Sequence, residues 1–157
     1  MVTLKQNLMK SWLIVLLGLC AAPSVNGQKV SEESVPQPVR AGLPKSYQAK
    51  GVEWSREDAN YEATFRKDGK EVSLVIDATG NTIETETEIK SADLPAAVIN
   101  SVKNDYPSYT IAEAAKIVTA DGHVTYEAEV GKGKETFDLI FDTAGKLVSK
   151  EVKNGHD

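Results

Sequence analysis

The chain has 157 residues, with 18 basic and 23 acidic side chains, a net charge of −5, one cysteine and two histidines. That balance leaves no basic footprint for nucleic acid, and one cysteine builds neither a disulfide framework nor a thiolate zinc site. His123 and His156 alone give little material for catalysis or metal binding, and the length holds one average domain or two small halves.

The first ten residues carry Lys5 and Lys10 and no acid, and Trp12 to Ala22 is an uncharged run of eleven. A run that short cannot cross ~30 Å of hydrocarbon, which takes about 20 residues. A basic start, a short apolar stretch and a small-residue exit together read as a secretory signal peptide over 1–27, cut after Gly27. Cys20 raises a lipoprotein reading, but Leu19 occupies the position where lipidation needs a small residue, which argues against that anchor. The remaining chain would have 130 residues, 16 basic and 23 acidic, a net charge of −7 and no cysteine. It would be periplasmic or secreted, without a membrane span, and long enough to bury about two-thirds of its unfolded surface.

Residues 28–34 are polar and read as a flexible N-terminal segment. A helical stretch from Val35 to Tyr47 follows, interrupted by Pro44 and therefore short or kinked. Gly51 to Arg56, containing Trp54, reads as a strand. Alternation then places Tyr61, Ala63 and Phe65 on one face, and Val72, Leu74 and Ile76 likewise after the Asp68-Gly69 turn. The turn at Asp77 to Gly80 leads to a strand with Ile83, Thr85, Thr87 and Ile89. A second helix is expected from Asp93, with Pro95 in its first turn, Leu94, Val98, Ile99 and Val102 on one face, and Tyr106-Pro107 as its end. Thr110 to Thr119, then Tyr126 to Val130, Phe137 to Phe141 and Val148 to Val152 complete the strands.

These elements repeat. At a constant offset of 65 residues, Tyr61-Glu62-Ala63 meets Tyr126-Glu127-Ala128, Leu74 meets Leu139, Asp77 meets Asp142 and Gly80 meets Gly145. Eight of the 26 positions from 61 to 86 are identical without a gap. Upstream, at an offset of 59, Val35-Pro36 meets Leu94-Pro95, Val39 meets Val98 and Tyr47 meets Tyr106. The six-residue difference falls in a segment that a loop can absorb. The chain is thus two copies of one supersecondary unit, over 35–90 and 91–157. The expected fold class is α+β: a tandem repeat of a helix plus four antiparallel strands. The sheet has about eight strands, with both helices on one face.

Positions alternating away from the core carry Glu62, Glu84, Glu86, Glu88, Glu127, Glu129 and Asp138, with Glu151 beside them. Val75 and Ile140 occupy equivalent positions on that face and are apolar in both copies. A solvated face whose charge deters aggregation explains the acids economically. Like charges crowded on one face are also mildly destabilising unless used, so the sharper reading is a docking surface for a basic protein or peptide. Asp77-x-x-Gly80 and Asp142-x-x-Gly145 resemble fragments of calcium loops but lack the alternating acids and closing Glu, and read as turns. No nucleophile elbow, zincin motif or phosphate-binding glycine loop is present. Trp54 reads as packing, and His123, after Asp121-Gly122, as a solvated turn residue.

The spaced series Val35-Pro36, Val39, Tyr47, Trp54, Tyr61-Glu62-Ala63-x-Phe65, Asp77-x-x-Gly80 and Glu84-x-Glu86 resembles the PepSY-like domain, common in secreted proteins of the Bacteroidetes. The second series, Leu94-Pro95-Ala96-Ala97-Val98, Tyr106-Pro107, Tyr126-Glu127-Ala128 and Phe141-Asp142-x-x-Gly145, resembles it equally. The resemblance implies a tandem fold like that of the beta-lactamase inhibitor protein, with helices on one side of a broad curved sheet, though without that inhibitor's cysteine pairs. It carries over no catalytic residues. It suggests inhibition of a protease or other envelope enzyme by fold analogy alone.

The reading that results is a monomeric, non-enzymatic, exported binding module without cofactor or metal. It would engage a basic protein or peptide through Glu62, Val75, Glu84, Glu86, Glu88, Glu127, Glu129, Asp138 and Ile140. The alternative is a periplasmic carrier or sensor of a small ligand or cation, which predicts a pocket between helices and sheet.

Overall fold

The protein's structure, a computed structural model, describes residues 27–44 and 51–153. Residues 1–26, on which the expected signal peptide and Cys20 fall, lie outside that range, as do Tyr47 and the last four residues. The elements run β1 (Gln28–Val30), α1 (Gln37–Gly42), β2 (Glu53–Glu57), β3 (Asn60–Lys67), β4 (Lys70–Ile76), β5 (Thr82–Glu88), α2 (Ala96–Asp105), β6 (Thr110–Thr119), β7 (Val124–Lys132), β8 (Glu135–Asp142) and β9 (Leu147–Lys153). All nine strands form one sheet in chain order, and every neighbouring pair is antiparallel.

The sheet therefore has nine strands where about eight were expected. The extra one is β1, in the segment read as flexible. Its polar composition suggested a loose lead-in, but Val30 stands opposite the buried Trp54 and Lys29 pairs with Glu53 at 3.0 Å, so the segment is a strand. α2 also starts later than expected. Ser91–Asp93 forms a 3₁₀ turn, and Pro95, extended at ψ 140, precedes the first helical residue. Copy one does the same with Glu32–Ser34 and Pro36. As Pro44 demanded, α1 is short and stops at Gly42.

Both helices pack on the same face of the sheet. Val35, Val39 and Leu43 cover Trp54, Ala63, Phe65, Val72, Leu74 and Ile76. Leu94, Val98 and Val102 cover Ala114, Ala128, Val130, Leu139 and Phe141. Each large apolar side chain removed from water there contributes roughly 1.5–3 kcal/mol. Two half-cores thus lie under one sheet, joined by the β5–β6 pairing from Glu84↔Thr119 to Glu88↔Ala115.

The repeat extends to the irregularities. The β4–β5 register shifts between Val75 and Ile76, and the β8–β9 register shifts at the equivalent Ile140 and Phe141. At the β4–β5 turn, Asp77 accepts the backbone N–H groups of Thr79 and Asn81; at the β8–β9 turn, Asp142 accepts those of Ala144 and Lys146. Gly80 and Gly145 close these turns at φ +95 and +81, a conformation that excludes most side chains. The calcium-loop fragments are hydrogen-bonded hairpin turns. His123 is exposed in a third such turn, where its N–H reaches Asp121.

Candidate functional site

The register sets the sheet's second face in rows that cross the strands. Glu62, Val75 and Glu84 are direct cross-strand neighbours on β3, β4 and β5. Ser73, Glu86 and Ile117 form the next row, and Glu88, Ala115, Glu127 and Ile140 the one after. Glu129, Asp138 and Glu151 form the last. All nine residues picked from the sequence lie on this one face, opposite the helices. Val75 and Ile140 sit beside Glu84 and Glu127 respectively.

Centrally the face is concave. Ala115 and Ile117 point to it from β6 yet are only 5% and 7% exposed, while Ala114 of the same strand is buried under α2. A small side chain in the middle strand lets its neighbours' longer ones close over it. A cleft of about 540 Å³ opens here, bordered by Ser73, Glu86, Ala115 and Glu127, with Arg66 and Lys90 on its rim.

Burial governs the electrostatics. Glu86 is pushed up to about 7, first by its removal from water and then by the charges of Glu62 and Glu84. Glu127 is pushed up to about 8, again first by burial and next by Glu86. The charge of Glu86 thus adds to burial in holding the proton on Glu127. Burial, then Glu62, raises Glu84 as well.

The second half of the face has a different solution. Lys153 reaches from β9 to within 2.7 Å of Glu129 and 3.3 Å of Asp138. Burial, which would lower the pKa of its ammonium, is outweighed by these two partners, so that pKa is raised. For Asp138 burial still dominates over Lys153, and its other oxygen, Oδ1, is buried without a hydrogen-bond partner. Glu88, the repeat equivalent of Lys153, accepts the Glu71 N–H at 2.8 Å and lies 3.6 Å from Arg66. Thr64 and Ser73, the equivalents of Glu129 and Asp138, bond to each other at 2.9 Å.

Sequence reasoning missed Ala115, Ile117 and Lys153. The paired alanines at 114 and 115 were the available signal, since consecutive small residues in a strand point to opposite faces and suit a strand covered on both. Among the described residues no three carboxylate, imidazole or thiol groups gather to hold a metal ion, and no helix is long and apolar enough to cross a membrane.

Solved structures share this architecture. A protein described as periplasmic, from Bacteroides eggerthii, superposes with a TM-score of 0.67 at 20% identity, covering 76% of this chain and 90% of that one. A DUF2874 family protein from Bacteroides uniformis gives 0.65 at 22%, covering 74% and 88%. A BLIP-like protein from Bacteroides fragilis gives 0.58 at 25%, covering 78% and 89%. No curated protein matches. The profile of the beta-lactamase-inhibitor-like, PepSY-like family matches twice, over residues 24–84 and 76–149, and the chain belongs to that family.

Proposed function

We propose that this protein is an exported, monomeric, non-enzymatic binding module that docks a basic protein or peptide on its open sheet face, as an inhibitor of an envelope enzyme would. The observation that carries the reading is the crowding of carboxyls around an apolar floor: Glu86 and Glu127 are the cross-strand neighbours of Ile117 and Ala115, and Glu62 and Glu84 in the adjoining row act on Glu86. A face that served only solubility would keep its acids exposed, where their charge is stabilised by water. Here burial raises the pKa values of Glu84, Glu86 and Glu127, so the face carries unfavourable charge that a basic partner would relieve. The family and the periplasmic description of one relative support an exported setting.

The test is capture by the immobilised protein from the periplasmic extract of its own source. Changing Glu84, Glu86 and Glu88 together to Lys should abolish any capture that rising salt weakens. Unchanged capture by that variant would overturn the reading.

A further inference from the structure

Within the open face, the two halves treat their carboxyls unequally. Glu129 and Asp138 share Lys153, whose stem runs across the face from β9. Glu86 and Glu127 flank the cleft on either side of β6, and Lys153 acts on them only at a distance. Other charged groups facing this pair are Glu62 of β3, Glu84 of β5, Glu129 of β7 and Asp138 of β8, and the border of the cleft adds Glu71, Glu88 and Glu113 against Arg66, Lys70 and Lys90. β4 contributes Ser73, and β6 contributes Ala115 and Ile117. On the rim, Arg66 is engaged by Glu88 and the Gly69 carbonyl.

The cleft is therefore apolar below, at Ala115, and predominantly acidic at its walls, with five carboxyl groups against three cations. An aliphatic stem ending in a fixed positive charge matches both parts at once, as the Lys153 side chain does in the neighbouring row. An acidic, neutral or wholly apolar side chain would leave one part unsatisfied. We infer that the cleft takes a lysine or arginine side chain of an extended partner segment, its stem over Ala115 and its cationic head between Glu86 and Glu127. This rests on the docking function proposed above and names the contact at its centre. The same contact supplies the counter-charge that the two carboxyls lack, so docking drives them to ionise and releases protons.

The probe is a capped heptapeptide, Thr-Val-Thr-Arg-Thr-Val-Thr, and its twin with uncharged citrulline in place of arginine. Each is titrated into the isotope-labelled protein while the backbone amides are followed by NMR. The arginine peptide should shift the Glu86, Ala115, Ile117 and Glu127 amides and bind at least tenfold more tightly than its twin. Its affinity should strengthen between pH 6 and pH 8.5, and the Glu86→Gln/Glu127→Gln protein should bind both peptides equally. Should both peptides shift the open face with equal affinity, or the double variant keep the preference, the cationic contact is wrong while face docking stands. Should neither peptide shift any open-face amide, both readings fall.

Discussion

A Cβ built on Gly145 would stand 2.6 Å from the carbonyl oxygen of Ala97, so the β8–β9 turn lies directly against helix α2. Ser101 fixes the approach by donating to the Gly145 carbonyl at 2.6 Å. In copy one, Gly80 meets the Pro38 carbonyl of α1 in the same way. Gly145→Ala and Gly80→Ala should each cost about 2 kcal/mol or more, combining positive-φ strain with a clash against helix backbone. Gly122, at φ +84 with nothing near its would-be Cβ, is the control and should lose only about 1 kcal/mol on the same change. Urea unfolding at pH 7 measures all three. Equal losses would mean that the helix contact adds nothing.

Stability should fall as pH rises. Glu86 and Glu127 keep their protons in the folded state up to about 7 and about 8, whereas the unfolded chain releases them near 4.5. The folded state thus binds more protons between those limits, and its advantage is fully present below pH 4.5 and lost as pH passes through 7 to 8. The melting temperature at constant ionic strength should be higher at pH 5.5 than at pH 8.5. Glu127→Gln should flatten this dependence and stabilise the protein at pH 8.5 by about 1–3 kcal/mol. A flat wild-type profile would contradict the assigned burial.

Lys153→Met keeps most of the stem but leaves Glu129 and Asp138, both largely buried, without their shared cation. The variant should be less stable by about 1–2 kcal/mol at pH 8, the half-exposed ammonium being partly screened by water. The deficit should shrink at pH 4, where Asp138, its pKa raised by burial, takes up a proton. Chemical denaturation at both pH values separates the charge from the packing.

Leu74 and Leu139 are repeat equivalents, 3% and 0% exposed, each in the centre of its own half-core. Leu74→Ala and Leu139→Ala should each cost about 2–5 kcal/mol. Because each half has its own core, hydrogen exchange should show each substitution loosening its own half first, although the sheet is continuous. A uniform loss of protection across both halves would show that the sheet unfolds as one unit.

Most of the fold was legible because the repeat supplied two readings of every element. Thr110–Thr119 matched its strand to the residue, and Pro44 correctly stopped α1. Gln28–Val30 was misread because three polar-to-mixed residues carry no period of their own; their strand form comes from Trp54 and Glu53, more than twenty positions away. Period two also placed all nine face residues on one side. What alternation cannot convey is curvature. The burial of Ala115 and Ile117, and with it the raised pKa values of Glu86 and Glu127, depends on how the side chains of neighbouring strands close over β6. Lys153 was overlooked because a terminal lysine reads as solvated until its strand's register is known.

β5 and β9 are the same strand in two settings: β5 is sealed by β6, whereas β9 ends the sheet. The large apolar side chains exposed among the described residues, Leu147, Val148 and Val152, all belong to β9. A third copy appended in frame would find at β9 the edge that the second copy found at β5. The architecture is a tiling, and its open face could be widened one tile at a time.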